Sequence, residues 1–195
     1  MTDPADALTR LDALTRRLRV ECPWDREQDE RSIVPHTVEE AYELADAVAS
    51  GDDSKLLDEL GDVLFQVYFL ALLMEERGAG DLGAVAENCS EKLVRRHPHV
   101  FGDATAETAD EVRRNWNEIK RTQEGRSDSD IPETLPSTLF ARKVLKRAGT
   151  HESARPAEGD FERVGALLLD GVREAYRRGV DPELALRAAA KEETT

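Results

Sequence analysis

Apolar residues recur at every third or fourth position through most of this chain, the spacing that places them on one face of an α-helix. The pattern predicts helices over residues 6–20, 37–50, 55–77, 81–96 and 106–122, a short basic helix over residues 139–148, and further helix in the tail. Charged residues make up 35% of the chain and aromatic residues 5%, which suits helices better than sheets. The sequence therefore predicts an all-α fold.

The start of the second helix is predicted from a local signal. Residues 21–36 have no apolar period and are predicted to form a loop. The loop ends where Thr37 and Glu40 match the capping-box pattern T-x-x-E. Farther along, the helix over residues 81–96 is expected to turn three apolar side chains inward, namely Val85, Cys89 and Leu93.

Two pairs of carboxylates border the apolar faces of the second and third helices. Glu40 and Glu43 are three residues apart, as are Glu59 and Asp62, so each pair lies on one face of its helix. The apolar stripes beside them are expected to pack together: Ala41, Leu44 and Val48 on one helix, and Leu56, Leu60, Val63, Val67 and Leu70 on the other. Four carboxylates would then meet beside the core, and their repulsion would cost several kcal/mol outside bulk water.

Two interpretations of these carboxylates follow from the spacing. Divalent cations with oxygen ligands would turn the repulsion into a favourable interaction. Alternatively, the residues form solvated helix faces, since acidic residues at this spacing are common in a chain with 41 Asp and Glu.

Composition limits the classes of function. A chain of 195 residues can form one domain, or one domain with a small appendage. The net charge of −14 argues against a nucleic-acid partner, and local cations or metals would have to attract any polyanionic substrate. Two cysteines suit a reducing cytosol, and no apolar run approaches the roughly 20 residues of a membrane span. We therefore expect a soluble cytoplasmic protein that has no membrane association.

A longer series of motifs resembles one known family. Glu39-Glu40-x-x-Glu43, followed by Glu59-Leu60-Gly61-Asp62, resembles the EExxE…ExxD signature of the MazG-type all-α nucleoside triphosphate pyrophosphohydrolases. Three further stretches resemble the same family in the same order: Cys22-Pro23-Trp24-Asp25 with Gln28, the stretch from Lys92 to Phe101, and Trp116 with Ile119-Lys120. Together they cover about residues 8–148.

The resemblance implies a function and a set of site residues. It implies a MazG-like helical bundle, paired as a homodimer, that hydrolyses nucleoside triphosphates to the monophosphate and pyrophosphate for nucleotide-pool house-cleaning. Mg²⁺, with Mn²⁺ as a substitute, would be held by Glu40, Glu43, Glu59 and Asp62. The triphosphate would be bound by Lys55, Lys92, Arg95 and Arg96.

Four residues keep more than one interpretation. Lys55 either contacts the triphosphate, which the resemblance favours, or forms an ordinary i, i+4 pair with Glu59. Glu39 is a general base, an outer-shell ligand or a solvated side chain. Trp116 is either a platform for the nucleobase, which the resemblance favours, or an anchor in the core. Trp24 either stacks on a base or plugs a helix end.

The domain organisation is also predicted by resemblance. Residues 1–125 would form the MazG-like domain and residues 126–159 a linker that contains the short basic helix. Residues 160–195 resemble the end of a second MazG repeat, whose ExxD positions are occupied by Arg163 and Ala166. Because these residues offer no carboxylate, the remnant is predicted to be structural.

Two alternatives to a general pyrophosphohydrolase are a regulatory or scaffolding helical dimer without catalysis, and an enzyme restricted to one damaged or pyrimidine nucleotide. The first unit keeps all four carboxylates and the cationic residues, whereas the tail has lost its own carboxylates. This difference favours retained catalysis over the scaffold.

Overall fold

The computed structural model describes residues 2–122, 131–148 and 159–193, apart from the side chain of Arg121. These residues form ten α-helices and no strand, which confirms the predicted all-α fold. In chain order the helices are α1 (Pro4–Glu21), α2 (Pro23–Glu27), α3 (Glu30–Ser50), α4 (Asp53–Glu76), α5 (Leu82–Arg96), α6 (Pro98–Phe101), α7 (Ala109–Thr122), α8 (Ser137–Ala148), α9 (Asp160–Arg177) and α10 (Pro182–Glu192). Within the described ranges, no helix is both long and apolar enough to cross a membrane.

The chain divides into two compact units. The first unit is Met1–Thr105 and contains α1 to α6, and the second unit is Ala106–Thr195 and contains α7 to α10. The domain boundaries at 125 and 159, which came from the resemblance, stay predictions. Of the predicted linker, residues 126–130 and 149–158 lie outside the described residues.

The predicted loop over residues 21–36 is wrong, because this segment is mostly helical. It contains α2 and the first turns of α3, which begins at Glu30. The Asp29 side chain accepts a hydrogen bond from the Ser32 backbone N–H at 2.8 Å, and the Ser32 hydroxyl accepts one from the Asp29 N–H at 2.9 Å. This reciprocal cap begins α3 at a position where the sequence has no apolar period.

The predicted capping box at Thr37 and Glu40 is therefore also wrong. Thr37 lies inside α3 and donates its hydroxyl hydrogen bond to the Ile33 carbonyl at 3.2 Å. Pro35 is the sixth residue of this helix, and because it has no N–H it removes one backbone hydrogen bond there. Glu40 is thus not engaged in a cap, and its carboxylate is available for other interactions.

α3 and α4 form an antiparallel hairpin that is the centre of the first unit. α3 ends at Gly51, whose φ of 68° is the left-handed conformation that glycine adopts without strain. Asp52 then caps α4, since its carboxylate accepts hydrogen bonds from the backbone N–H groups of Ser54 and Lys55 at 2.9 and 3.3 Å. This tight connection fixes which residues of the two helices face each other.

The buried core of the hairpin lies away from its turn. Ile33, Phe69 and Leu73 form the core cluster, with Phe65 and Leu70 packed against it. The predicted packing of the apolar stripes is only partly correct, because four members are exposed, namely Ala41, Val48, Leu60 and Val67. The half of the hairpin that carries the carboxylates is consequently the less buried half.

Two arginines attach α1 to the end of α4. The Arg16 guanidinium donates to both carboxylate oxygens of Glu75 at 2.9 and 2.6 Å, and Arg19 does the same to Glu76 at 2.7 and 2.8 Å. Arg19 is the more buried of the two, and it also donates to the backbone carbonyls of Asp25 and Gln28. Arg19 therefore ties α1, α2 and α4 together.

α5 packs against α4 through few buried residues. Its start is as expected, because the Asp81 carboxylate accepts a hydrogen bond from the Ala84 backbone N–H at 2.7 Å. The expectation that its apolar side chains turn inward is wrong for Cys89 and Leu93, which are exposed. No residue of α5 is buried within this single chain.

In the second unit, α8, α9 and α10 pack on one another. Leu145 of α8 and Val172 of α9 are buried together with Pro182 at the start of α10. α8 is also joined to α10 by two side-chain contacts, Arg142 to Asp181 and Thr138 to Glu183. The tail is thus folded, and its predicted structural role stays a prediction.

The Arg19 contacts predict a pH-dependent contribution to stability. We expect Arg19→Ala to lower the free energy of unfolding by about 2 kcal/mol, because it removes charge-assisted hydrogen bonds from a largely buried side chain. Arg17→Ala, which removes an exposed pair with Glu21, is the matched control and should change it by less than about 0.5 kcal/mol. Urea unfolding followed by circular dichroism measures both values.

The sign of the pH dependence follows from Glu76. The hydrogen bond from Arg19 holds the pKa of Glu76 below its ordinary value of 4.5, so the folded state binds this proton more weakly than the unfolded state. The advantage of the wild type over Arg19→Ala should be complete above pH 4.5 and shrink as the pH falls through the lowered pKa. An advantage that is constant down to pH 2 would contradict this account.

Candidate functional site

The hairpin brings three carboxylates together across α3 and α4. Glu40, Glu43 and Glu59 each offer an oxygen, and these oxygens lie within 4.8 Å of one another. Asp62 is outside this tightest group but close enough to repel both Glu40 and Glu59. Three of the four predicted ligands are therefore clustered, and the fourth borders the cluster.

The antiparallel register explains which carboxylates oppose each other. Glu43 and Glu59 each lie eight residues from Gly51 along the chain, and Glu40 and Asp62 each lie eleven. In agreement, the strongest charge repulsion on Glu40 comes from Asp62, and the strongest on Glu59 comes from Glu43. The i, i+3 spacing aligns each pair along its helix, and the turn sets the pairs opposite each other.

Burial and crowding raise the pKa of two of these carboxyls. For both Glu40 and Glu59, loss of solvent around the charged form is the largest cause, and repulsion by the neighbouring carboxylates adds to it. The cluster thus favours protonation, or an added positive charge, over four separate anions.

One oxygen of the cluster lacks a hydrogen-bond donor. Glu59 Oε2 is buried and has no hydrogen-bond partner among the described residues, which is costly for a carboxylate oxygen. A divalent cation would satisfy it, because carboxylate oxygens are the ligands that hard divalent cations prefer. Three such oxygens lie within 4.8 Å of one another, so the donor set fits a hard divalent cation.

An aromatic pair joins α2 to α3 one turn before Glu40. His36 precedes Glu40 by one turn, and its ring meets the Trp24 ring edge to face with centroids 5.8 Å apart. His36 Nδ1 is also 3.8 Å from a carboxylate oxygen of Glu39. Because Trp24 is 51% exposed, it is not a buried plug for a helix end.

The predicted cationic residues lie on two helices. Lys55 is exposed in the first turn of α4, one turn before Glu59, and forms no described ion pair with it. Lys92, Arg95 and Arg96 lie in the last turns of α5, a helix that packs against α4. Their roles stay predictions, as does the role of Trp116, which lies in α7 of the second unit.

Sequence reasoning missed one polar side chain near this site. Gln66 follows Asp62 by one turn of α4, is 7% exposed, and has a buried amide oxygen without a described hydrogen-bond donor. The spacing Glu59, Asp62, Gln66 continues one helical face, and that continuation was the available signal.

Comparison with known proteins places these residues in a family. The model of the MazG nucleotide pyrophosphohydrolase domain matches residues 28–101, which include the whole hairpin. The nucleoside triphosphate pyrophosphohydrolase/pyrophosphatase MazG of Thermotoga maritima is 34% identical over 195 residues, covering 87% of this chain and 75% of that protein. This chain belongs to the MazG family.

Other relatives extend the comparison. The nucleoside triphosphate pyrophosphohydrolase of Escherichia coli K12 is 44% identical over 148 residues, which cover 72% of this chain. The match spans only 56% of the length of the E. coli protein. A crystal structure of a mazG-related protein from Thermotoga maritima is similar, with a TM-score of 0.51 and 26% identity. It covers 58% of this chain and 98% of that one, which confirms the MazG-like helical fold.

The crowded carboxylates predict that a divalent cation stabilises the protein. We expect Mg²⁺ or Mn²⁺ to raise the midpoint of thermal unfolding of the wild type, because binding only the folded state adds to its stability. Glu59→Gln should lose most of that increase, whereas Asp58→Asn, an exposed neighbour on the same helix, should keep it. Differential scanning fluorimetry with and without EDTA measures the effect.

Without a cation, the same variant shows whether the charge of Glu59 stabilises or destabilises the folded state. Because the pKa of Glu59 is raised above 4.5 in the folded state, its ionisation destabilises the fold as the pH rises through the raised pKa. In EDTA, Glu59→Gln should therefore be equal to the wild type near pH 4 and more stable at pH 8. A variant less stable than the wild type at pH 8 would contradict the crowding.

Proposed function

We propose that this MazG protein hydrolyses nucleoside triphosphates to the monophosphate and pyrophosphate. The observation that carries the proposal is the cluster of Glu40, Glu43 and Glu59, with Glu59 Oε2 buried and without a donor. Relatives named nucleoside triphosphate pyrophosphohydrolases, in E. coli and Thermotoga maritima, support the same reaction. Nucleotide-pool house-cleaning is the role that such an activity would serve.

We propose that the clustered carboxylates and Asp62 hold divalent cations, with Mg²⁺ preferred and Mn²⁺ as a substitute. Such an ion supplies Lewis-acid polarisation of the phosphoryl group and compensates its charge. The carboxylates supply hard oxygen ligands from two rigid helices, and the Gly51 turn fixes their spacing. Without cations the same four side chains would repel a triphosphate.

The remaining residues are proposed to bind the rest of the nucleotide. Lys55 lies in the first turn of the helix that carries Glu59, so its ammonium can reach phosphate oxygens on that side. The cationic end of α5 would neutralise charge that develops on the leaving pyrophosphate, through Lys92, Arg95 and Arg96. Trp116 is proposed as the platform for the base.

Glu39 keeps its three possible roles. Its carboxylate is largely exposed and its contact is with His36 rather than with the cluster, which supports an indirect role. Measuring kcat after substitution of Glu39 distinguishes these roles. Loss of a general base lowers kcat steeply, whereas removal of a solvated side chain does not.

We propose that the protein is a homodimer. α4 exposes apolar side chains along the half that carries the carboxylates, including Leu57, Leu60 and Leu64, and α5 exposes Leu93. Contiguous apolar surface of this kind is typical of an interface. A second copy of the hairpin would cover it, which supports pairing beside the site.

Product analysis tests the reaction class. Incubation with a panel of nucleotides and Mg²⁺ should release pyrophosphate and monophosphate in equal amounts. Glu43→Gln should lower kcat by about a hundredfold or more, equivalent to roughly 2.7 kcal/mol of activation free energy. Glu87→Gln, an exposed carboxylate on α5, is the control and should leave the rate unchanged.

Two results would contradict the proposal. Orthophosphate and diphosphate as main products would mean that a different bond is broken. Wild-type turnover by Glu43→Gln, or no turnover of any nucleotide by a folded wild type, would favour a scaffolding protein over an enzyme.

The oligomeric state is tested by sedimentation equilibrium. The wild type should have twice the chain mass of 21.7 kDa. Leu57→Lys should weaken the dimer at least tenfold, because it places a charge in the proposed interface. Leu57 is 75% exposed in the single chain. Val20→Lys on α1, with a side chain 69% exposed, should not weaken it. A monomeric wild type at micromolar concentration would refute the pairing.

A further inference from the structure

The second unit contains a cavity of about 680 Å³ that is lined mainly by cations. Arg113 of α7, three residues of α8 and Arg177 of α9 contribute positive charges to it. Those of α8 are Arg142, Lys143 and Lys146. The remaining wall includes Tyr176 and the turn between α9 and α10. Among the described residues, no carboxylate lines the cavity.

Two backbone hydrogen bonds hold the turn that forms one wall of the cavity. Gly179 has a φ of 70°, its N–H bonds to the Tyr176 carbonyl at 3.2 Å, and the Val180 N–H bonds to the Ala175 carbonyl at 2.9 Å. This is the Schellman pattern that ends a helix at a left-handed glycine. Arg142 is fixed as well, by its contact with Asp181 at the start of α10.

Three of the five cations have a carboxylate partner outside the cavity lining. Arg113 contacts Asp110, Arg142 contacts Asp181, and Arg177 lies 2.6 Å from Glu174. All three pairs lie within the described residues of the second unit.

Lys143 and Lys146 have no such partner. Within residues 106–122, 131–148 and 159–193, no carboxylate forms an ion pair with either lysine. They are three residues apart on α8, so their ammonium groups face the same side and repel each other.

Both lysines are exposed, so solvent screens part of their charge. A chain with 41 acidic and 27 basic residues has carboxylates in excess, yet within the described residues neither lysine of this cavity has one as a partner. Like charges at this spacing destabilise a helix, whereas an anion in the cavity would compensate both lysines. Five cations around one cavity, with no carboxylate in its described lining, therefore point to an anionic ligand.

We propose that this cavity is a second binding site, separate from the carboxylate cluster, and that it takes an oligophosphate. The cavity volume is within the range of small-molecule sites, and lysines and arginines together suit adjacent phosphate groups. A nucleic-acid partner would need an extended basic surface, which a chain of net charge −14 does not favour. Free pyrophosphate and the phosphate chain of a nucleotide share this chemistry.

The test measures binding of inorganic pyrophosphate to the full chain by isothermal titration calorimetry at low salt. EDTA is present, so the carboxylate cluster stays anionic and repels phosphate, and the result does not depend on the proposed hydrolysis. The wild type should bind one pyrophosphate per chain, and orthophosphate should bind at least tenfold more weakly. Lys143→Gln with Lys146→Gln should weaken pyrophosphate binding at least tenfold.

The chain offers a closely matched control. Lys146 and Arg147 are neighbours in the last turn of α8, but only Lys146 lines the cavity. Lys146→Gln should weaken binding at least threefold, and Arg147→Gln less than twofold. Equal weakening by both variants would show a diffuse charge effect and overturn the proposal, as would a wild type that binds no oligophosphate.

Two further measurements distinguish the ligand and guard against misfolding. A non-hydrolysable nucleoside triphosphate analogue that binds tenfold tighter than pyrophosphate would identify a nucleotide, and equal affinity would identify pyrophosphate itself. In the wild type, pyrophosphate should slow acetylation of Lys143 and Lys146 but not of Lys191, as read by mass spectrometry. Unchanged acetylation of both cavity lysines would overturn the proposal without any variant.

Discussion

Repulsion among the carboxylates of the α3–α4 hairpin is the constraint on which the first unit depends. The turn at Gly51 sets Glu43 opposite Glu59 and Glu40 opposite Asp62, so that charge is concentrated where solvent is reduced. A fold with this cost needs stabilisation elsewhere and a partner for the charge at the site itself. The buried Glu59 oxygen without a described donor is the observation that supports the proposed cation.

The stabilisation lies at the opposite end of the hairpin. Ile33, Phe69 and Leu73 are buried there, and Arg19 joins α1, α2 and α4 beside them through charge-assisted hydrogen bonds. The half that carries the carboxylates has few buried side chains, and its apolar residues are exposed in the single chain. The buried end of the hairpin stabilises the fold, and the less buried end carries the charged site. Such a compromise is common at functional sites.

The two units present opposite charges to small molecules. The α3–α4 hairpin of the first unit concentrates carboxylates, which would attract phosphates through a bound cation. The second unit concentrates lysines and arginines around a cavity, which attract phosphates directly. Within a chain of net charge −14, the second arrangement is the less expected of the two. For this reason, it is as informative about function as the carboxylates that the family motif already marks.

The sequence by itself determined the helices, the capping of α5 by Asp81 and the carboxylate pairs, because these depend on neighbours within four positions along the chain. It misplaced the start of α3, where the Asp29–Ser32 cap carries no apolar period. Only the tertiary structure decided which oxygen of the cluster is buried without a donor, and which cations of α8 lack a carboxylate partner, within the described part of the chain. Burial and ion pairing depend on elements distant in sequence, and no local period encodes those distances.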